Sequence, residues 1–236
     1  MNRGSHLKYP LISFFLCVWV LGSFGTGWTQ TGETVLHIYL ARHGETDWNL
    51  QKRLQGWTDT TLNQKGEEQA KALGRLIAGI DIGQIYCSTL ARSQSTAEIL
   101  SGGRIPIIKM QELREQSYGK FQGKFFDGSD PAIVEEFDRR SIDPTDTLEG
   151  GESLEQFYAR VKSGLDQILE RHTQGAILIV GHGGTNTQIL RALLDLSAEQ
   201  SLKIEQANDE LYLIEVTEKT GRRLWKYVTL DHLEEL

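Results

Sequence analysis

The stretch Arg42-His43-Gly44 contains the residue types best suited to covalent chemistry. A neutral imidazole is a competent nucleophile near neutral pH, because its unperturbed pKa is about 6.5. The guanidinium beside it presents forked donors that suit phosphate oxygens, and Gly44 lets the backbone approach an anion closely. Together these residues predict phosphoryl transfer through a phosphohistidine. For the tripeptide alone, an ordinary turn at the end of a strand is an equally good interpretation.

The element before this stretch is predicted to be a buried strand. Residues 34–41 are short, β-branched, leucine-rich and aromatic, which favours a strand over a helix. Arg42 and His43 then fall at the carboxyl end of the strand, which is where open α/β sheets bind their ligands.

Two more strand ends carry cationic or imidazole side chains. Residues 83–87 form a predicted strand, and Arg92 follows in the first turn of a helix, where the macrodipole disfavours a cation. An anion ligand explains Arg92 better than a solvated surface arginine does. The apolar run 176–180 leads to His182 and to a glycine-rich helix start at Gly183, whose free N–H groups can bind an anion.

Five further motifs follow in order along the chain: Leu54-Gln55-Gly56, the six residues 61–66, the stretch 87–97, Leu113-Arg114-Glu115 with residues 118–123, and Val180-Gly181-His182-Gly183-Gly184. Combined with Arg-His-Gly-Glu-Thr at 42–46 and the later Asn49, this set resembles the histidine phosphatase superfamily, the phosphoglycerate-mutase-like proteins. The resemblance covers about residues 34–230.

The resemblance implies roles for individual residues. His43 is the implied nucleophile, and Glu115 is the implied acid that protonates the departing oxygen. Glu45 is the alternative candidate for this acid. The residues expected to bind or transfer the phosphoryl group are Arg42, His43, Asn49, Gln55, Gly56, Arg92, Glu115, His182 and Gly183. We expect no metal, since no other His, Cys or carboxylate lies at ligand spacing near His182, and no cofactor.

The order of predicted elements indicates an α/β fold. A three-layer α/β/α arrangement with a mainly parallel sheet is expected, and family members share it. Residues 125–146 are predicted to form a short lid insert around an amphipathic segment, 133–140, and residues 211–216 and 223–228 to form a C-terminal hairpin. Asn63, Ser153, and either Ser88 or Thr89 are the predicted helix N-caps.

Residues 1–30 have the pattern of a leader. Arg3 and Lys8 precede the apolar run 11–24, which predicts a signal peptide, with an uncleaved membrane anchor as the alternative. Residues 31–236 are then one catalytic domain, exported to a periplasmic or extracytoplasmic location. The net charge of −7 argues against a nucleic-acid partner. A small phosphomonoester is the expected substrate.

Two other functions remain open. A phosphoglycerate mutase would return the phosphoryl group to the substrate, but relatives of that type carry basic residues where this chain has Gln116 and Phe126; Arg139-Arg140 partly resembles their later arginine pair. A non-catalytic module that binds phosphate ligands is the second alternative.

Overall fold

The computed structural model describes residues 34–217, 221–229 and 232–235. The predicted leader, residues 1–30, lies outside these ranges. The strands are β1 Val35–Arg42, β2 Gln84–Ser88, β3 Ile107–Met110, β4 Gly175–Gly181, β5 Leu211–Thr217, β6 Gly221–Thr229 and β7 His232–Glu235. The α-helices are α1 Asp47–Leu50, α2 Gln64–Leu76, α3 Ala91–Ser101, α4 Pro131–Ser141, α5 Leu154–Arg171, α6 Gly183–Leu194 and α7 Ala198–Ser201.

The strands of the described ranges form one seven-stranded sheet in the order β3-β2-β4-β1-β5-β6-β7. Strands β1 to β4 pair in parallel, whereas β5, β6 and β7 are joined through antiparallel pairs. Because two successive antiparallel pairings restore the original direction, β6 runs the same way as β1. Most strands therefore share one direction, and the predicted mainly parallel sheet is confirmed.

Helices cover both faces of this sheet. Side chains alternate across a strand, and in β1 Ile38 and Leu40 pack into a core formed with α5 and α6. Tyr39 and Ala41 point to the opposite face and pack into a second core formed with α2 and α3. The predicted three-layer α/β/α architecture is thus confirmed, with the helix pairs α5/α6 and α2/α3 as its outer layers.

Two of the predicted helix starts are confirmed. Asn63 accepts a hydrogen bond from the Gly66 backbone N–H at 2.9 Å, and α2 begins at the next residue. Ser153 accepts from the Gln156 N–H at 3.2 Å and forms a complete capping box at the start of α5. Such caps stabilise a helix by about 1 kcal/mol each.

The predicted cap of α3 by Ser88 or Thr89 is wrong. The helix begins at Ala91, and Leu90 is its N-cap without a side-chain cap bond. The Ala91 N–H donates instead to Asp59 Oδ1 at 2.7 Å, across 32 residues of sequence. Ser88 accepts the Leu90 N–H through its Oγ. A distant carboxylate thus replaces the local hydroxyl that the sequence suggested.

The predicted insert contains the amphipathic helix α4. Its Phe137 packs with Phe121 and Leu148 in a small separate cluster. Arg140, near the end of α4, makes two hydrogen bonds to the Asp146 carboxylate at 2.7 and 2.8 Å. These contacts fix α4 to the segment that follows it, while its action as a lid stays a prediction.

Strands β5 and β6 form the predicted hairpin near the carboxyl terminus. Strands β5 and β6 pair antiparallel from Leu211 opposite Tyr227 to Thr217 opposite Gly221, and the turn at 218–220 lies outside the described residues. Strand β7, which the sequence pattern did not indicate, adds to β6. Within the described ranges, none of the helices combines the length and apolar character needed to cross a membrane.

Candidate active site

Three neighbouring strands deliver the predicted reactive residues to one edge of the sheet. Strands β2, β4 and β1 lie side by side. Arg92 and His182 follow the carboxyl ends of β2 and β4, Arg42 is the last residue of β1, and His43 follows it. The rings of His43 and His182 approach to 5.1 Å between centroids. The parallel order of the sheet therefore assembles residues that are far apart in sequence.

A cavity of about 130 Å³ lies at this edge, and we call it the catalytic cavity. Seven of the nine predicted site residues line it: Arg42, His43, Asn49, Gln55, Gly56, Arg92 and Glu115. His182 stands beside His43, and Gly183 lies in a second, larger cavity.

The hydrogen bonds of His43 assign its tautomer. Its Nδ1 lies 2.8 Å from the Gly44 carbonyl oxygen. Because a carbonyl oxygen can only accept, Nδ1 carries the proton and the Nε2 lone pair is left free. A neutral imidazole with an unprotonated Nε2 has the form required of a nucleophile.

The surroundings of His43 keep the ring neutral. The side chain is buried, and burial lowers its pKa well below the usual 6.5; the charges of Arg92 and Arg42 lower it further. The loop that holds it is packed tightly on α2, since a Cβ on Gly44 would lie only 2.3 Å from the Gly66 carbonyl oxygen. A side chain at Gly44 would therefore push the loop away from α2.

His182 is also buried and neutral. Burial lowers its pKa well below 6.5, and Arg92 and His43 add to the effect. Its Nε2 lies 2.8 Å from Ser88 Oγ, whereas its buried Nδ1 has no partner within the described residues. If Ser88 donates to Nε2, Nδ1 carries a proton with no acceptor except a bound ligand.

The two arginines of the site are buried and only partly satisfied. Arg92 is 1% exposed and donates to the carbonyls of Thr58 and Gly56, each at 2.9 Å. Arg42 donates to the Gln206 carbonyl at 2.8 Å. The Nε atoms of both lack a partner among the described residues. Burial lowers the pKa of Arg92 to about 10, so Arg92 stays charged at neutral pH. Burial also lowers the pKa of Arg42, and a guanidinium keeps its proton in proteins.

Two side-chain amides supply further donors at the cavity. Asn49 accepts the Thr46 backbone N–H at 3.1 Å through Oδ1, which identifies that atom as the oxygen. Gln55 accepts the hydroxyl of Thr60 at 2.6 Å through Oε1. Neither NH₂ group has an acceptor in the described part of the chain, and both residues line the cavity. They are available as donors to an anion.

The Glu115 carboxyl group is held by two backbone N–H groups. Gln116 donates to Oε1 at 2.9 Å, and Gly184 donates to Oε2 at 3.0 Å. The start of α6 lies so close that a Cβ on residue 184 would be 2.6 Å from Glu115 Oε1, so only glycine leaves the carboxyl group in this position. The carboxyl group is therefore oriented by both its own loop and the start of α6.

The backbone of the loop that carries Glu115 is braced from two sides. Trp57 Nε1 donates to the Glu115 carbonyl at 2.7 Å. Arg160, on α5, donates to the carbonyls of Glu115 at 3.1 Å and Arg114 at 3.0 Å. The same guanidinium pairs with the Glu152 carboxylate at 2.6 and 2.7 Å. Sequence patterns gave no indication of these braces, because their partners are distant in the chain.

Glu45, the rival acid, is occupied elsewhere. Its carboxylate pairs with Lys65 Nζ at 2.8 Å and accepts from Asn63 Nδ2 at 3.1 Å. These donors lower the pKa of Glu45, with the Lys65 bond as the largest cause. Glu45 does not line the catalytic cavity, whereas Glu115 does. The geometry therefore favours Glu115 as the acid.

A larger cavity of about 510 Å³ shares Arg42 with the catalytic cavity. Gly183 belongs to this second cavity, and a Cβ on Gly183 would be 3.5 Å from Arg42 Cζ. Its walls include the acids Glu205 and Glu210. Gly183 therefore packs on the Arg42 guanidinium rather than lining the catalytic cavity itself.

Three residues of the catalytic cavity were not among the predicted site residues: Arg53, Leu54 and Tyr118. Leu54 and Tyr118 lie within the family motifs, which was the only signal for them. Burial and the nearby Glu115 raise the pKa of Tyr118 above its ordinary value, so the hydroxyl stays protonated.

Comparisons with known proteins agree with this geometry. Residues 38–228 match the model of the histidine phosphatase superfamily, branch 1. The chain is 30% identical over 204 residues to Phosphoglycerate mutase-like protein 4 of Arabidopsis thaliana, covering 84% of this chain and 87% of that protein. It is 35% identical over 147 residues to the Bacillus subtilis protein named "Uncharacterized phosphatase PhoE", covering 62% and 71%.

A solved structure is also similar to this chain. Bacillus stearothermophilus YhfR superposes with a TM-score of 0.70 at 32% identity, covering 79% of this chain and 94% of that one. The family match spans most of the chain and includes every strand end that supplies the site. The chain therefore belongs to the histidine phosphatase superfamily, branch 1.

Proposed function

We propose that the protein is a metal-independent phosphomonoester hydrolase that acts on small phosphorylated metabolites through a phosphohistidine at His43. One observation carries the proposal: within the described residues, three of the five buried side-chain atoms that lack a partner are Arg42 Nε, Arg92 Nε and His182 Nδ1. Unpaired buried donors are costly. A phosphoryl group in the catalytic cavity would supply the missing acceptors.

The first step is attack on phosphorus by His43 Nε2, whose lone pair is left free by the Nδ1–H bond to Gly44. Charge on the three equatorial oxygens is neutralised by Arg42 and Arg92, and His182 Nδ1–H donates to one of them. Such prepositioned charge usually contributes most to the catalysis of phosphoryl transfer. Glu115 gives its proton to the leaving alkoxide as the phosphorus–oxygen bond breaks.

The second step releases the phosphoryl group to water. Glu115, now a carboxylate, takes a proton from a water molecule that attacks the phosphohistidine, and inorganic phosphate leaves. Its two backbone donors, the N–H groups of Gln116 and Gly184, hold the carboxylate in place between the steps. The cycle needs no metal, because the arginines provide the positive charge.

Three side chains support hydrolysis over the mutase reaction. Gln116 stands where mutase-type relatives carry an arginine, and its side chain donates to the Glu152 carbonyl at 2.9 Å. Arg140, of the pair that partly resembles their later arginines, is held by the Asp146 carboxylate. Arg139 lines a separate surface cavity on α4. None of these residues lines the catalytic cavity.

The test is a panel of small phosphate esters assayed for inorganic phosphate in the presence of EDTA. We expect wild-type protein to release phosphate and His43→Ala to release none. Conversion of 3-phosphoglycerate to its 2-phospho isomer in place of phosphate release would favour the mutase. Binding of phosphate or vanadate without any turnover would favour the non-catalytic module and overturn the proposal.

We also propose export, on the leader pattern of residues 1–30 alone. Mass spectrometry of the protein recovered from its host would detect a new amino terminus near Gly27. An intact amino terminus in a soluble cytoplasmic fraction would contradict export.

A further inference from the structure

Arg53 lines two adjoining cavities. One is the catalytic cavity, and the other is a neighbouring cavity of about 270 Å³. Asn49 and Leu54 are shared by both, and the remaining walls of the neighbouring cavity are Trp48, Lys52 and Phe126. An ester whose phosphoryl group fills the catalytic cavity therefore has this adjoining space available for its leaving group.

The guanidinium of Arg53 is held rigidly. Its Cζ lies 4.1 Å from the centroid of the Trp48 ring and 4.9 Å from that of Phe125, both within cation–π range. Its Nε donates to the Gly123 carbonyl at 3.0 Å. Because the ring contacts and the Nε bond fix the orientation, little side-chain entropy remains to be lost when a ligand binds.

The two terminal nitrogens of Arg53 are unused. Within the described residues they have no hydrogen-bond acceptor, and no carboxylate lies within 4.0 Å. Arg140 and Arg160 differ in this respect, since carboxylates bind both. A planar pair of N–H donors without a partner is suited to bind an oxyanion in bidentate fashion.

The charges around the site favour binding of a second anion in the neighbouring cavity over binding in the larger cavity of about 510 Å³. Glu205 and Glu210 line the larger cavity and would repel a second anion. The neighbouring cavity carries Arg53 and Lys52 and no acid among its lining residues. Asp127, whose carboxylate is stabilised in part by the charge of Lys52, lies outside that lining.

We infer that Arg53 is a specificity-determining residue that selects phosphomonoesters whose leaving group carries a second oxyanion, a carboxylate or another phosphate. This deepens the proposed function and rests on it. The apolar walls at Trp48, Leu54 and Phe126 leave room for a short carbon segment between the ester oxygen and that anion. Arg42 and Arg92 hold the transferred phosphoryl group, and Arg53 holds the leaving group.

The test compares 3-phosphoglycerate with glycerol 3-phosphate, which differ only by a carboxylate in place of a hydroxymethyl group, and adds glycerol 1,3-bisphosphate as a second anionic ester. The readout is the ratio of kcat/KM for each anionic ester to that for glycerol 3-phosphate. Arg53→Gln should lower this ratio about ten- to a hundredfold, the worth of a charge-assisted bidentate contact. The anionic ester whose ratio falls in the Arg53→Gln variant shows whether Arg53 binds a carboxylate or a phosphate group.

Lys124→Gln is the matched control, because it removes a positive charge from a nearby loop at a residue that lines neither cavity. Its ratio should equal that of wild type. Arg53→Lys keeps a long aliphatic side chain and its positive charge but lacks the planar pair of N–H donors, so its ratio should also fall, though by less. If Arg53→Gln does not fold, the ratio measured for Arg53→Lys tests the inference. Equal loss on all esters, or an unchanged ratio in either folded Arg53 variant, overturns the inference. Failure of wild type to hydrolyse any ester overturns the proposed function instead.

Discussion

Substituting alanine for Gly184 should displace the carboxyl group of Glu115, the proposed general acid, without disturbing the fold. Gly184 is the second residue of α6, and its N–H donates to Glu115 Oε2 at 3.0 Å. An added Cβ would lie 2.6 Å from Glu115 Oε1 and 3.3 Å from Phe157 Cε1. Because the closest atom is the end of a flexible side chain, the carboxyl group moves and the helix stays in place.

The structure gives the size of this movement. Ordinary contact begins at 3.4 Å, so Oε1 must retreat by about 0.8 Å from its position at 2.6 Å. A misplacement of about 1 Å can cost on the order of 10²-fold in rate, within the 10²- to 10⁴-fold that a general acid contributes. We therefore expect kcat/KM for an alkyl phosphate such as glycerol 3-phosphate to fall about 10²-fold.

The assay uses two esters with different needs for the acid. The leaving group of p-nitrophenyl phosphate departs without a proton, so its kcat/KM, which reports only steps up to transfer onto His43, should stay near the wild-type value. Gly183→Ala is the control: its Cβ would meet Arg42 at an ordinary 3.5 Å, and any effect should be equal for both esters. Equal losses on both esters for Gly184→Ala, or a lowered Tm, would show that the substitution does not act by moving the Glu115 carboxyl group alone.

The pH dependence of stability and two arginine substitutions offer independent checks. His43 and His182 are buried with lowered pKa values, so the unfolded chain takes up protons near pH 6.5 before the folded one does. The contribution of these two histidines to stability should therefore be constant above about pH 6.5 and fall below it. His182→Gln should reduce the fall in Tm measured between pH 8 and pH 5. Arg140→Met removes the ion pair with Asp146 and should lower the Tm by a few degrees. It should leave kcat/KM unchanged, whereas loss of an arginine that belongs to a mutase site would lower kcat/KM. Arg160→Met, which removes the brace on the Glu115 backbone, should reproduce the ester-dependent loss, and a uniform loss would contradict its bracing role.

The strand ends were predictable from the sequence because their signals are local. A short apolar run predicts a buried strand, and the residue after it must lie at the edge of the sheet. Arg42, His43, Arg92 and His182 all follow such runs, and the structure puts the rings of the two histidines 5.1 Å apart. The caps at Asn63 and Ser153 were predictable for the same reason.

Interactions between distant residues could not be predicted. The α3 cap comes from Asp59, which no local pattern links to Ala91. Glu45 and Glu115 both lie within family motifs, and the pairing of Glu45 with Lys65 distinguishes their environments. The stack that fixes Arg53 likewise depends on how its loop meets residues 123–126. These features follow from tertiary packing alone.

Rapid-quench mass spectrometry under alkaline conditions can detect whether the His43 imidazole carries the phosphoryl group during turnover. During hydrolysis of p-nitrophenyl phosphate, the peptide containing His43 should gain an acid-labile phosphoryl group within one turnover and lose it as the substrate is exhausted. Turnover of the ester with an unmodified His43 peptide at every time point would contradict a phosphohistidine intermediate at this residue.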